Sequence, residues 1–265
     1  MLLARATILA MGNKRRKSGK LAAKTAFRHP PSAIRHREIP VWWVSSIIAL
    51  FLLPIAGIWT KTFLTCLSRA TLEHHLWASE EFWFFWLGAV LWLITFFGLP
   101  RPLWIYVFGH ELTHALWVWM MGGRVSAFKV ASDGGHIISD KHNFWIALAP
   151  YFFPLYSIAV IALYGALGFF INIEPYHRWL YALIGVTWAF HISFTLWMIP
   201  KGQTDLTYYG TFFSLVIIYL MNLLIITALL IIASPHVTAR AFAREFTENA
   251  ETFSTWLASL RTHAV

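Results

Sequence analysis

Three ionisable side chains, His110, Glu111 and His114, stand inside an otherwise apolar run from Leu103 to Met121, and that placement constrains the chain more than any other feature. Such groups are rare within membrane-type segments and usually functional. On a helix, residues four apart share a face, so His110 and His114 present two imidazoles to one point with Glu111 beside them. This is an H-E-x-x-H arrangement. With twelve His in 265 residues, composition alone gives such a match in roughly 2% of chains, but Trp104, Ile105, Val107, Leu112, Leu116, Val118 and Trp119 surround it, which is not how a solvated helix face reads. Two imidazoles can hold a zinc ion if a third protein ligand comes from elsewhere, leaving a fourth position for a water whose pKa the metal lowers to about 7. Glu111 is then the candidate base.

The surroundings are those of a membrane protein. Hydrophobic residues make up 58% of the chain and charged residues 12%, about half the charged share of an ordinary soluble domain. Several apolar runs reach the ~20 residues a helix needs to cross hydrocarbon. The formal net charge of +9 does not point to nucleic acid, because ten of the 21 Lys and Arg lie in the first 40 residues. We read residues 1–40 as a basic, disordered cytoplasmic tail drawn to anionic lipid. Cys66 stands alone, so no internal disulfide can form.

Along the chain, a first span is expected over 41–59, then a wetter link over 60–81 in which His74 and His75 read as solvated loop histidines. A second span covers 82–99 and ends at Pro100-Arg101-Pro102. The third, 103–121, carries the H-E-x-x-H residues and stops at Gly122-Gly123. Residues 124–130 and 136–139, flanking Ser132-Asp133-Gly134-Gly135, predict a β-hairpin. It is either a surface loop or an open edge that holds a substrate segment by strand addition. His136, His142, Asp133 and Asp140 read as polar hairpin residues first. Residues 144–171 are too long for one simple span and contain Pro150 and Pro154, which predicts a broken or re-entrant entry.

A fifth span covers 179–199, with His191 read as a core histidine. Asp205 is the only Asp or Glu between Glu174 and the C-terminal tail, making it the candidate third zinc ligand; a helix N-cap is its other reading. A sixth span covers 206–233. Residues 234–265 predict an amphipathic helix at the interface, with Phe242, Phe246, Phe253, Trp256, Leu257 and Leu260 at helical spacing. The expected fold is therefore an all-α polytopic membrane protein of about six transmembrane helices with a small hairpin, in which 41–233 form the membrane domain.

From Leu103 to Gly210 the order of features resembles the site-2 protease family of intramembrane zinc metalloproteases. His110-Glu111-Leu112-Thr113-His114 matches the family's H-E-x-x-H helix. Gly122-Gly123-Arg124-Val125 through Ile138, followed by Ala147-Leu148-Ala149-Pro150, is similar to its membrane-associated hairpin and the helix after it. Laid on the family's N-x-x-P-x-x-P-L-D-G, this chain has Trp197 for Asn, Pro200 for the first Pro, Gln203 for the second, Asp205 for Asp and Leu206 for Gly. The resemblance implies His110, His114 and Asp205 as zinc ligands and Glu111 as general base, and a site nearer the cytosol.

The function expected is zinc-dependent hydrolysis of a peptide bond in a membrane-associated protein or peptide, in the cytoplasmic membrane of a bacterium, with lipid and substrate as partners and no nucleic acid. The alternative is a non-proteolytic metal-binding scaffold of the same fold. Six spans would put both chain ends on one side. That side would collect 15 of the 21 Lys and Arg, so both ends are expected in the cytoplasm and Asp205 toward the other face.

Overall fold

The computed structural model describes residues 41–131 and 134–262; the expected basic tail and the turn residues Ser132 and Asp133 lie outside them. The described chain is mostly helical with one two-stranded antiparallel sheet. It divides into two compact units, Leu103–Lys141 and the remainder.

The larger unit begins with α1, Val41–Leu72. A wet link over 60–81 was expected, but the helix continues to Leu72. No glycine or proline interrupts 60–72, and Thr60, Thr62, Thr65 and Thr71 return their hydroxyl protons to carbonyls four residues back, satisfying themselves within the helix. His75, in the left-handed region at φ 49°, makes the turn. Ser79 then caps α2, Glu80–Gly98, by accepting from the Phe82 amide.

α6, His177–Met198, packs along α2. The approach is close enough that a Cβ at Gly88 would strike the Ala182 carbonyl oxygen, and one at Gly185 the Phe85 carbonyl oxygen. Small residues of this kind let helices pack tightly in lipid. Trp92 donates to Ser193 across the pair at 2.9 Å. Glu81 faces His177 and Glu80 faces Arg178 at one end, while Phe96 meets Phe194 and Trp197 edge-to-face at the other.

Between these helices in sequence, α4 (Phe144–Leu148) and α5 (Leu155–Leu167) are separated by a 3-10 turn and meet at 78°. The break expected from Pro150 and Pro154 is present. Its irregular backbone is enclosed, with Leu148, Ala149 and Tyr151 fully buried, and Asn222 donates to the Tyr151 carbonyl at 3.0 Å. Buried non-helical backbone at membrane depth requires such partners.

After α6 the short α7, Thr204–Tyr208, leads through Gly210 at φ 91° into α8, Thr211–Ala233. The helix expected over 206–233 thus starts at Thr211, later than expected. α8 lies beside α1: Ala49 packs with Phe213 and Val216 near one end, and Cys66 and Ala70 with Leu230 near the other. The amphipathic C-terminal segment forms α9, Ala239–Thr262. Part of its expected interfacial face is taken up by protein. Phe242 and Phe246 pack on Trp59 of α1, Arg69 pairs with Glu245 at 2.7 Å, and Asn249 donates to Thr62, whereas Trp256, Leu257 and Leu260 stay exposed.

Among the described residues four helices are long and apolar enough to cross a membrane, or five if the bent pair is one span, against the six expected. Their outward faces are apolar: Phe51, Phe97 and Ile232 are 73 to 79% exposed. α3, Leu103–Met120, is not among them, since two imidazoles and a carboxylate lower its hydropathy. The larger unit also fixes where the chain leaves it and where it returns. α2 ends where Arg101 lies over Trp197, at the end of α6, and α4 begins where Phe144 meets Tyr209 and Phe213, at the start of α8; only twelve residues separate α6 from α8. The chain leaves and re-enters this unit at one end. Within the larger unit α9 packs beside the later turns of α1, at the end remote from Val41.

In the smaller unit, α3 stops at Gly122, φ 68°, whose amide returns to Trp119 while that of Gly123 returns to Val118. β1, Val125–Ala131, then pairs with β2, Gly134–Ser139, with Lys129 opposite His136. The hairpin is pinned to the helix end by Asp140, which accepts from the Arg124 amide at 2.7 Å, and by Lys141, which donates to the Met121 carbonyl at 2.6 Å. Phe128 meets Phe108 of α3 edge-on.

Candidate metal centre

The helical spacing delivers what it promised. His110 and His114 turn toward each other with their Nε2 atoms 3.2 Å apart. A tetrahedral ion with metal–nitrogen bonds of about 2.0–2.1 Å holds two ligand nitrogens about 3.3 Å apart, so the imidazole pair already has the spacing of two ligands on one ion. Tyr106, one turn earlier on α3, lies 3.2 Å from His110 Nδ1 through its hydroxyl. If Nδ1 carries the proton and donates to that oxygen, the Nε2 lone pair faces outward as a ligand. Metal-bound imidazoles commonly have such a partner. His114 and Tyr106 are buried.

Asp205 sits in the first turn of α7, two residues after Gln203, which takes the N-cap place; the N-cap reading of Asp205 is therefore corrected. Tyr151, from the broken α4–α5 segment, donates to Asp205 Oδ2 at 3.2 Å. One nitrogen each from His110 and His114 and one carboxylate oxygen of Asp205 lie within 4.8 Å of one another, so these three could hold a metal ion. No other His, Cys, Asp or Glu among the described residues joins that group. The chain matches no protein-family model, no curated protein and no solved structure.

Glu111 is buried, 8% exposed, and β2 passes directly against it. A Cβ on Gly135 would come within 2.6 Å of Glu111 Cγ, 2.9 Å of Val107 Cγ1 and 3.0 Å of Glu111 Oε1. Only a residue without a side chain lets the strand run there, so the hairpin forms a wall that holds the Glu111 rotamer.

The other histidines and acids have different surroundings. Asp140 is spent on the Arg124 amide, and His136 pairs across the hairpin with Lys129. His142 stacks on Tyr209 with 6° between ring planes; burial, with Tyr208 adding to it, pushes the Tyr209 phenol up to about 12. His74, exposed as expected, stacks on His236 with ring centres 4.0 Å apart. His191 lies on α6 near Trp188, outside the metal group as its core reading expects, with its Nε2 buried and without a hydrogen-bond partner among the described residues. Tyr106, Tyr151, Asn222 and Gly135 are the site's supporting residues that the sequence reading missed. Tyr106 was within reach of it, being four residues before His110 on the same helical face; the other three become neighbours only through the fold.

Proposed function

We propose that the chain is an intramembrane zinc metalloprotease of the site-2 type, which hydrolyses a peptide bond of a membrane-associated substrate. The observation that carries this reading is the set of three ligand atoms from His110, His114 and Asp205 within 4.8 Å, with Glu111 adjacent in sequence to the first. Three protein ligands are the pattern of a catalytic zinc site, whereas structural sites usually close with four. The nitrogen and oxygen donors suit zinc.

A divalent ion held there would supply Lewis acidity, polarising the scissile carbonyl and bringing the pKa of a bound water to about 7. The chain's own residues do the rest. Glu111 accepts the proton of the attacking water and passes it to the departing amine. Tyr106 and Tyr151 hold His110 and Asp205 in their liganding orientations. The hairpin, through Gly135, keeps the Glu111 carboxylate from swinging away, and the apolar walls strengthen every charge interaction inside.

Our reading of orientation starts from the larger unit, where the start of α1 lies beside Gly210 at the end of α7. Residues 1–40 attach at the end where α7 carries Asp205, and ten of the 21 Lys and Arg lie in them, so we place that end in the cytoplasm and the metal ligands near it. The cytoplasmic membrane of a bacterium is our reading of where the protein works. The test is Glu111→Gln in the full chain reconstituted in vesicles, with a fluorogenic library of apolar peptides. Zinc should stay at one per chain while hydrolysis falls about 10²–10⁴-fold; hydrolysis at the wild-type rate removes the mechanism.

A further inference from the structure

Trp197, on the last turn of α6, carries two cations on its ring. The Arg101 guanidinium carbon is 4.9 Å and the Lys201 Nζ 2.9 Å from the ring centre, and Arg101 also lies 4.7 Å over Phe96. The two charges can be no farther apart than those first two distances added together. Neither pairs with a carboxylate among the described residues, and the Nε of Arg101 is buried without a hydrogen-bond partner there. Arg69 and Arg178, by contrast, both face a glutamate. Cation–aromatic attraction offsets part of the repulsion, but a buried guanidinium donor with no acceptor still lacks its partner.

The position says what that partner is. Arg101 stands between Pro100 and Pro102 just past α2, and Lys201 stands three residues past α6, so the pair lies where two apolar helices emerge together. Leu99, Phe97 and Leu196 beside it are exposed by 61, 76 and 65%, which is surface for acyl chains on the hydrocarbon side of the charges. The anion found at that depth is a phospholipid phosphate, and basic pockets between transmembrane helices on the cytoplasmic side are suited to it. We propose that Arg101 and Lys201, over Trp197, bind the phosphate of an anionic phospholipid. Arg101 supplies a planar fork that includes the orphaned Nε, and Lys201 a mobile point charge. Lys201 precedes Asp205 by four residues, so a lipid bound there steadies the link that carries the carboxylate. The lipid site itself stands independently of the protease reading.

The test uses the full chain in nanodiscs and reads the lipid kept by the protein, phosphatidylglycerol against phosphatidylcholine, by native mass spectrometry. Wild-type protein should favour phosphatidylglycerol, and Arg101→Gln and Lys201→Gln should each weaken that preference roughly fivefold, with the pair weakening it about 25-fold. Arg101→Lys should recover part of the loss. Lys201 is exposed, so its single variant keeps the test valid if the double variant does not fold. Equal retention by wild type and the Lys201→Gln variant overturns the proposal. Displacement of the lipid by inorganic phosphate overturns it too, since the site then takes a free anion, as does displacement by an acidic peptide.

Discussion

Tyr106→Phe isolates one link between the fold and the metal chemistry. The substitution removes a single oxygen, 3.2 Å from His110 Nδ1, and leaves a ring of nearly the same volume in a buried position of α3. In the wild type that oxygen can hold His110 in the tautomer whose Nε2 faces the Nε2 of His114 at 3.2 Å. Without it the imidazole can rotate or change tautomer, and the ordering cost falls on metal binding. Loss of such an outer partner typically weakens metal affinity 10–100-fold, or about 1.4–2.7 kcal/mol, the range expected for one hydrogen bond to a group whose orientation matters. The assay is zinc competition against a chromophoric chelator with purified full-length protein. Thr113→Val is the control, because the Thr113 hydroxyl serves only the Gly109 carbonyl at 2.7 Å within the same helix; it should leave the affinity within about twofold. A Tyr106→Phe affinity indistinguishable from wild type, or a Thr113→Val loss as large, would refute the assignment of Tyr106 as the orienting partner.

Other outcomes follow from the same structure. Gly135→Ala pushes a methyl to within 2.6 Å of Glu111 Cγ, so zinc content should hold while the hydrolysis rate falls on the order of 10²-fold, the cost of roughly an ångström of misplacement; a normal rate with the variant folded would show that the hairpin does not hold Glu111. Gly88→Val drives a branched side chain into the Ala182 backbone and should destabilise the α2–α6 pair by about 1–3 kcal/mol or more, read as a lowered melting temperature in detergent. Tyr209, raised to about 12 by burial, holds its proton in the folded state above the unfolded value of about 10. Its contribution is thus fully present below pH 10 and is lost as pH rises toward 12, so Tyr209→Phe should flatten the alkaline limb of the stability curve, and an unchanged limb would point to other groups.

How much of this was legible beforehand depends on distance along the chain. The H-E-x-x-H spacing dictated the imidazole pair, because a helix brings i and i+4 together whatever surrounds it. The prolines at 150 and 154 dictated the break between α4 and α5 for an equally local reason, a missing amide and a steric clash. The glycines at 122 and 123 ended α3, and the turn chemistry after Lys129 gave the hairpin. Span boundaries were less secure. Local hydropathy put the end of the first span at Trp59, whereas the helix runs on to Leu72, its threonine hydroxyls satisfied within it and α9 packed on its flank.

Asp205 is the intermediate case. Its scarcity in an acid-poor stretch singled it out, yet sequence left ligand and N-cap side by side, and the choice needed the geometry of α7 and the oxygen-to-nitrogen distances. Gly135 against Glu111, Tyr151 on Asp205, and the unpaired Arg101 beside Lys201 have no signature at any fixed spacing. They depend on which segments the helices bring together, and pairing between remote segments is decided by packing and burial, which act on the folded chain as a whole. The sequence by itself determined long apolar helices suited to a membrane and a two-histidine helix; the tertiary structure decided which carboxylate could join the imidazoles on a metal ion, which hydroxyls and which strand support these residues, and that the chain re-enters its main helical unit at the end it left.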